Sequence, residues 1–177
     1  MKKFELTSEF VTFLGKKLFR IKALISFGNV EEGELGGYVE KEENLSNDGN
    51  AWVSGNARVY GNARVYGDAW VSGNARVYGD AWVSGDARVY GDAMVHGDAR
   101  VSGDADYATV QGFGSEYRTT TFFRTKAGDI GVRCGCFYGT LDDFRKKVKE
   151  THGDSKTAKE YLMVADLMEF RFSKEEA

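Results

Sequence analysis

His96 is one of two histidines in this chain, and Tyr78 and Tyr60 precede it by 18 and 36 residues. Arg76 and Arg58 keep the same spacing, each two residues before a tyrosine. A histidine has the proton affinity for general-base work near neutral pH. Arginines in a row suit an anion, and tyrosines suit a planar group. Trp52, Trp70 and Trp82 are the three tryptophans, and the first two are again 18 apart. Arg, Tyr and Trp are the types that concentrate in binding hot spots. The candidate binding residues are therefore Trp52, Arg58, Tyr60, Trp70, Arg76, Tyr78, Trp82 and His96.

That spacing is three times a shorter period. From Gly49 to Ala108 the chain reads Gly-[Asn/Asp]-Ala-x-Val-x ten times without an insertion, and the last unit puts Tyr107 in the place of Val. A strict short period marks a solenoid. Residues two apart on a strand share a face, so Ala and Val point in and the x residues point out. Gly with Asn or Asp supplies a corner, since both tolerate left-handed backbone. Each hexad is thus one strand and one turn, and three close a coil of 18 residues. The interior, from Val53 to Val101 with the alanines, is thin, dry and filled. Any ligand site must lie outside it.

Outward residues then stack in columns about 4.8 Å apart. One face carries Trp52, Trp70 and Arg88; the next Arg58, Arg76 and Met94 beside Tyr60, Tyr78 and His96; the third Arg64, Trp82 and Arg100 beside Tyr66, Ser84 and Ser102. Three readings stay open. The residues suit strands and interrupt aggregation, or they pack subunits together, or they grip an anionic or planar ligand. The corner aspartates, such as Asp68, Asp86 and Asp104, read as solvated turn residues.

The flanks read as caps. Residues 1–27 alternate around Gly15-Lys16-Lys17 as a β-hairpin, and 33–49 form a degenerate first coil. After Asp106 the period breaks. A hairpin is expected around Lys126–Asp129, then a helix opened by Thr140 and ended by Gly153, then a second over about 157–172. The fold class is mainly β: a β-solenoid over 34–108, a hairpin cap over 1–33 and a small α+β domain over 109–177.

The hexad resembles that of the hexapeptide-repeat left-handed parallel β-helix proteins, and the resemblance supplies the handedness. The phrases RIKAL, LGGYVE, ENLS and GCFYGT resemble hexapeptide-repeat proteins of bacteriophages and prophages. The outward columns with Trp52, Trp70, Trp82, Arg64 and Arg76 expose more apolar and Arg-rich surface than a monomer usually does, so a homo-oligomer is expected, and the resemblance favours a trimer. The resemblance also implies an alternative function, CoA-dependent acyl transfer, with a histidine as base between subunits. Here His96 alone could serve, and no loop interrupts residues 49–108 to shape such a site.

Composition narrows the rest. A net charge of −3 and a pI near 5.5 imply no general nucleic-acid surface. No apolar run is long enough for a membrane span and no leader pattern is seen, so a cytoplasmic protein is expected, in the host cytoplasm if phage-encoded. Two cysteines, Cys134 and Cys136, and two histidines cannot assemble an ordinary zinc site. No cofactor and no metal are expected. The resulting expectation is a non-catalytic oligomeric binding or scaffold protein that engages a host protein or sequesters a small anionic, nucleotide-like ligand. A second possible location for the site is the C-terminal domain, around Arg118, Arg124, Arg133 and Tyr138.

Overall fold

The computed structural model describes residues 1–173. Strands β1 (Phe4–Phe13) and β2 (Lys16–Ala23) pair antiparallel across a two-residue turn. Leu14 and Gly15 both take positive φ there, 49° and 77°, the backbone that matches the twist of a tight hairpin. Strand β3 (Leu35–Val39) pairs antiparallel with β2.

Nine two-residue strands follow, one per hexad: Trp52–Val53, Arg58–Val59, Arg64–Val65, Trp70–Val71, Arg76–Val77, Trp82–Val83, Arg88–Val89, Met94–Val95 and Arg100–Val101, which are β4 to β12 in that order. Every pairing among them is parallel and joins residues 18 apart. The result is a three-sided parallel β-solenoid whose faces are β4-β7-β10, β5-β8-β11 and β6-β9-β12. The inward Val and Ala side chains are almost completely shielded from solvent. The hexad glycines from Gly49 to Gly97 hold φ between 59° and 71°, whereas Gly103 is extended at −162°. The solenoid therefore ends one hexad sooner than the repeat. Asp104–Asp106 form a 3-10 turn, and Tyr107 opens a new strand instead of continuing the valine row.

The polarity of the ladder explains both ends. Each coil donates its N–H groups to carbonyls of the next, as Arg58 N does to Ala75 O at 2.9 Å. The first coil thus presents carbonyls that nothing in the repeat can satisfy, and such groups are costly when buried. Each face meets this differently. On the first face, buried Lys3 donates from Nζ to the carbonyls of Gly49 (3.2 Å) and Ala51 (2.9 Å). On the second, Tyr38 N in β3 donates to Ala57 O and Glu40 N, just after β3, donates to Val59 O. On the third, Asn44 Nδ2 donates to Gly61 O (3.1 Å) and Ala63 O (2.8 Å), and Ser46 N donates to Val65 O. At the far end the need is inverted, and oxygens accept. Asp104 takes Arg88 N, Thr121 Oγ1 takes Met94 N, and Asp106 takes Ser102 N, each at 2.9 Å.

The C-terminal part is an antiparallel sheet of β13 (Tyr107–Val110), β14 (Thr120–Arg124), β15 (Ile130–Cys134) and β16 (Phe137–Thr140), backed by α1 (Leu141–His152) and α2 (Lys156–Phe172). Thr140 caps α1 by accepting from Asp143 N, and Asp143 answers by accepting from Thr140 N and Oγ1. Phe123 and Tyr107 close the lower end of the solenoid core, as Phe4, Val39 and Leu45 close the upper end. The hairpin cap is not a separate layer. Strands β1, β2 and β3 extend the second solenoid face into one sheet of six strands, β1-β2-β3-β5-β8-β11.

Candidate functional site

The three outward columns form in the register that the period dictates. Trp52 pairs with Trp70 and Trp70 with Arg88; Arg58 with Arg76 and Arg76 with Met94; Arg64 with Trp82 and Trp82 with Arg100. What separates the faces is what lies over them.

The second face holds an aromatic stack. Tyr60 and Tyr78 are parallel with ring centroids 4.9 Å apart, and His96 follows at 4.1 Å. Both ends of the stack are closed. The hairpin sets Phe13 edge-on to Tyr60 at 5.7 Å, and β16 sets Tyr138 on His96 at 4.6 Å. The guanidinium groups of Arg58 and Arg76 both lie over the Phe13 ring, at 4.6 and 4.9 Å. Tyr60 is buried in a cluster with Leu18 and Tyr38. Burial pushes the Tyr60 phenol up to about 12. Burial and then the nearby Arg133 hold the His96 imidazole below its ordinary value. The hairpin thus buries Tyr60, whereas Arg58, Arg76 and Tyr78 stay half-buried, with both guanidinium groups laid over Phe13. His96 is enclosed between two rings, a poor place for a base that must meet a substrate from solution.

The first face is also partly covered. Trp52 points outward from the coil but is fully buried, because the segment after the hairpin crosses it and Phe27 meets it edge-on at 5.5 Å. A Cβ on Gly36 would come 2.7 Å from the Trp52 ring, so a glycine is needed for β3 to pass. Trp52 is therefore a core residue and not a binding residue. Trp70, one coil on, is half-buried and donates from Nε1 to Ser54 Oγ at 3.1 Å.

The third face stays open. Trp82 is 38% exposed. Arg100 lies over its indole at 4.4 Å, and Tyr66 stands edge-on at 6.0 Å. Arg100 is itself fixed by donating to the carbonyls of Asp80, Asp98 and Ala99. Trp82, Tyr66 and exposed Arg64 line a groove of about 750 Å³ whose upper rim is Glu42, Glu43 and Asp48. The columns put Trp82 on this face, but nothing in the period sets it apart from Trp52. The rim comes from the degenerate first coil, outside the repeat.

The C-terminal candidates disperse. Arg124 donates to the Phe172 carbonyl and lies over the Phe172 ring at 5.2 Å, a tie between sheet and helix. Arg133 donates to the carbonyls of Cys136 and Phe137. Arg118 is exposed beside Glu116 at 3.6 Å. Cys134 and Cys136 are free thiols, and Cys134 Sγ accepts from Thr120 Oγ1 at 3.1 Å. At the corners, Asn amides donate to the aspartate one coil on: Asn50 to Asp68, Asn62 to Asp80 and Asn74 to Asp92, at 2.8, 3.0 and 3.1 Å. Among the described residues no group of three or more His, Cys, Asp or Glu is placed to hold a metal, and no helix is long and apolar enough to cross a membrane.

No curated protein matches this sequence. The repeat itself matches a family model, the YdcK beta solenoid repeat, over residues 57–73, 69–85, 82–97 and 87–103. The matched stretch spans eight of the nine regular coil strands, from Arg58 to Val101, and includes Arg64, Trp82 and Arg100, so this chain carries a β-solenoid repeat of that kind.

Proposed function

We propose that this is a non-catalytic binding protein that captures a partner protein in the groove on the third solenoid face. One observation carries the reading: Trp82 is an exposed tryptophan held in a fixed orientation by Arg100 and Tyr66. A rigid aromatic anchor with an arginine beside it is what a hot spot requires, since little side-chain freedom is lost on binding. The groove carries both signs of charge, Arg64 below and Glu42, Glu43 and Asp48 above. That mixture suits a protein surface better than a small anion, which the three carboxylates would repel. The resemblance to phage and prophage proteins makes a host protein the partner class and the host cytoplasm the place. A side-by-side trimer packed through this face would exclude partner capture there.

The experiment is capture by tagged protein, with mass spectrometry of what co-purifies and sedimentation of the untagged chain. A partner held by the wild type should be lost from Trp82→Ala and Arg64→Glu and kept by His96→Ala. Capture that survives Trp82→Ala overturns the reading. So does acyl-CoA turnover that collapses in His96→Ala.

A further inference from the structure

Helix α2 is apolar on two sides. One side, with Tyr161, Val164, Ala165, Met168 and Phe172, is buried in the C-terminal core. The other carries Met163, Leu167 and Phe170, which are 71%, 57% and 79% exposed. Spaced i, i+4 and i+7, they form one stripe along the helix. Nothing among the described residues covers it. Scattered exposed apolar residues are ordinary, whereas an aligned row of three on one helix is a contiguous patch.

We infer that this stripe is the contact of an antiparallel α2–α2 dimer, with a second copy of this chain as its occupant. The argument is self-complementarity. A two-fold axis near Leu167 sets Met163 against Phe170 of the partner subunit and brings the two Leu167 side chains together. One flank then carries Glu160, whose carboxylate lies 3.9 Å from Lys156, and Arg171, whose guanidinium donates to the Asp104 carbonyl at 3.4 Å. Both contacts are long, and in an antiparallel pair a flank meets its own kind, so Glu160 of one chain faces Arg171 of the partner subunit. The other flank carries Asp166 and Glu169, whose carboxylates are already held by Arg145 from α1 at 2.8 and 2.6 Å. That flank therefore does not repel its copy. The helix N-terminus with Lys156 and Lys159 comes beside the negative dipole end of the partner helix. Isologous pairing closes on itself and leaves no apolar stripe over. It also leaves the Trp82 groove free on each chain, so the dimer presents two grooves and stands whether or not those grooves have a partner.

Sedimentation at micromolar concentration should show a species of twice the 19.6 kDa chain mass. Phe170→Glu and Met163→Glu should each weaken it by at least about tenfold, since each buries an unpaired charge. Both positions are exposed in the single chain, and an unchanged circular dichroism spectrum verifies folding. Orientation is read by disulfide trapping in a Cys134→Ser/Cys136→Ser background. Leu167→Cys should cross-link chains on mild oxidation, while Lys156→Cys should not, because 11 helical residues of about 1.5 Å place the two copies roughly 33 Å apart. A monomer, a trimer, a dimer indifferent to Phe170→Glu, or cross-linking at both cysteine positions would overturn the proposal.

Discussion

The side-chain amide of Asn44 donates to the Ala63 carbonyl at 2.8 Å and so takes the place of a backbone N–H from a coil that does not exist. Its second proton serves Gly61 O, and its oxygen accepts from Lys41 N. Asn44→Leu fills the same space but leaves two carbonyls without donors. A loss of about 2–4 kcal/mol in urea unfolding is expected. A change below about 1 kcal/mol would mean that the end of this face does not need its cap.

Val77 lies in the middle of the solenoid and is fully buried, with coils on both sides. Val77→Asp places a carboxylate where neither water nor a donor is available. The variant should show no cooperative unfolding transition at 25 °C by circular dichroism. A native-like melt would contradict the dry, filled interior.

His96 links pH to stability. Its folded pKa lies below the ordinary 6.5, chiefly through burial. The unfolded chain then binds the proton more readily, so the stabilising contribution is full above pH 6.5 and is lost as pH falls from there towards the folded pKa. His96→Phe keeps a ring in the stack and cannot titrate. Wild type should lose stability relative to His96→Phe between pH 7 and 5, as measured by thermal melts. Parallel pH profiles for the two proteins would remove His96 from the account.

Phe13 receives Arg58 and Arg76 on its ring and touches Tyr60, so it joins the hairpin to the second face. Phe13→Ala should raise amide exchange across β1 and β2 while leaving the coil strands protected. Partner capture through Trp82 should not change. Exchange that rises equally throughout the solenoid would show that the hairpin and the coils open as one cooperative unit.

The repeat made the coils, the interior and the membership of each outward column legible, because a period of six with a fixed Ala-Val spacing permits one register. It carried no information on which column would be covered. Trp52 and Trp82 occupy equivalent places in their hexads, and only Phe27 and the segment through Gly36 distinguish them. The same holds for Tyr60 and His96, which are enclosed by Phe13 and Tyr138 from segments that have no period at all. The end caps were equally hidden. Lys3 and Asn44 look like ordinary polar residues until the direction of the ladder shows that the first coil lacks donors. The helix bounds were readable, since Thr140 and Gly153 act locally.

Because both ends of the ladder are finished by side chains that belong to particular faces, the solenoid has a quantum of length. Removing 18 residues, one whole coil, would return every cap to its own face and shorten the molecule by about 4.8 Å. Removing a single hexad would instead turn everything beyond it by a third of a revolution, so that Tyr138 would meet a column other than the one ending in His96. Variants of this protein should therefore tolerate gain or loss of sequence in the repeat only in threes of hexads, and a chain altered by one or two would have to rebuild its lower joint from other residues.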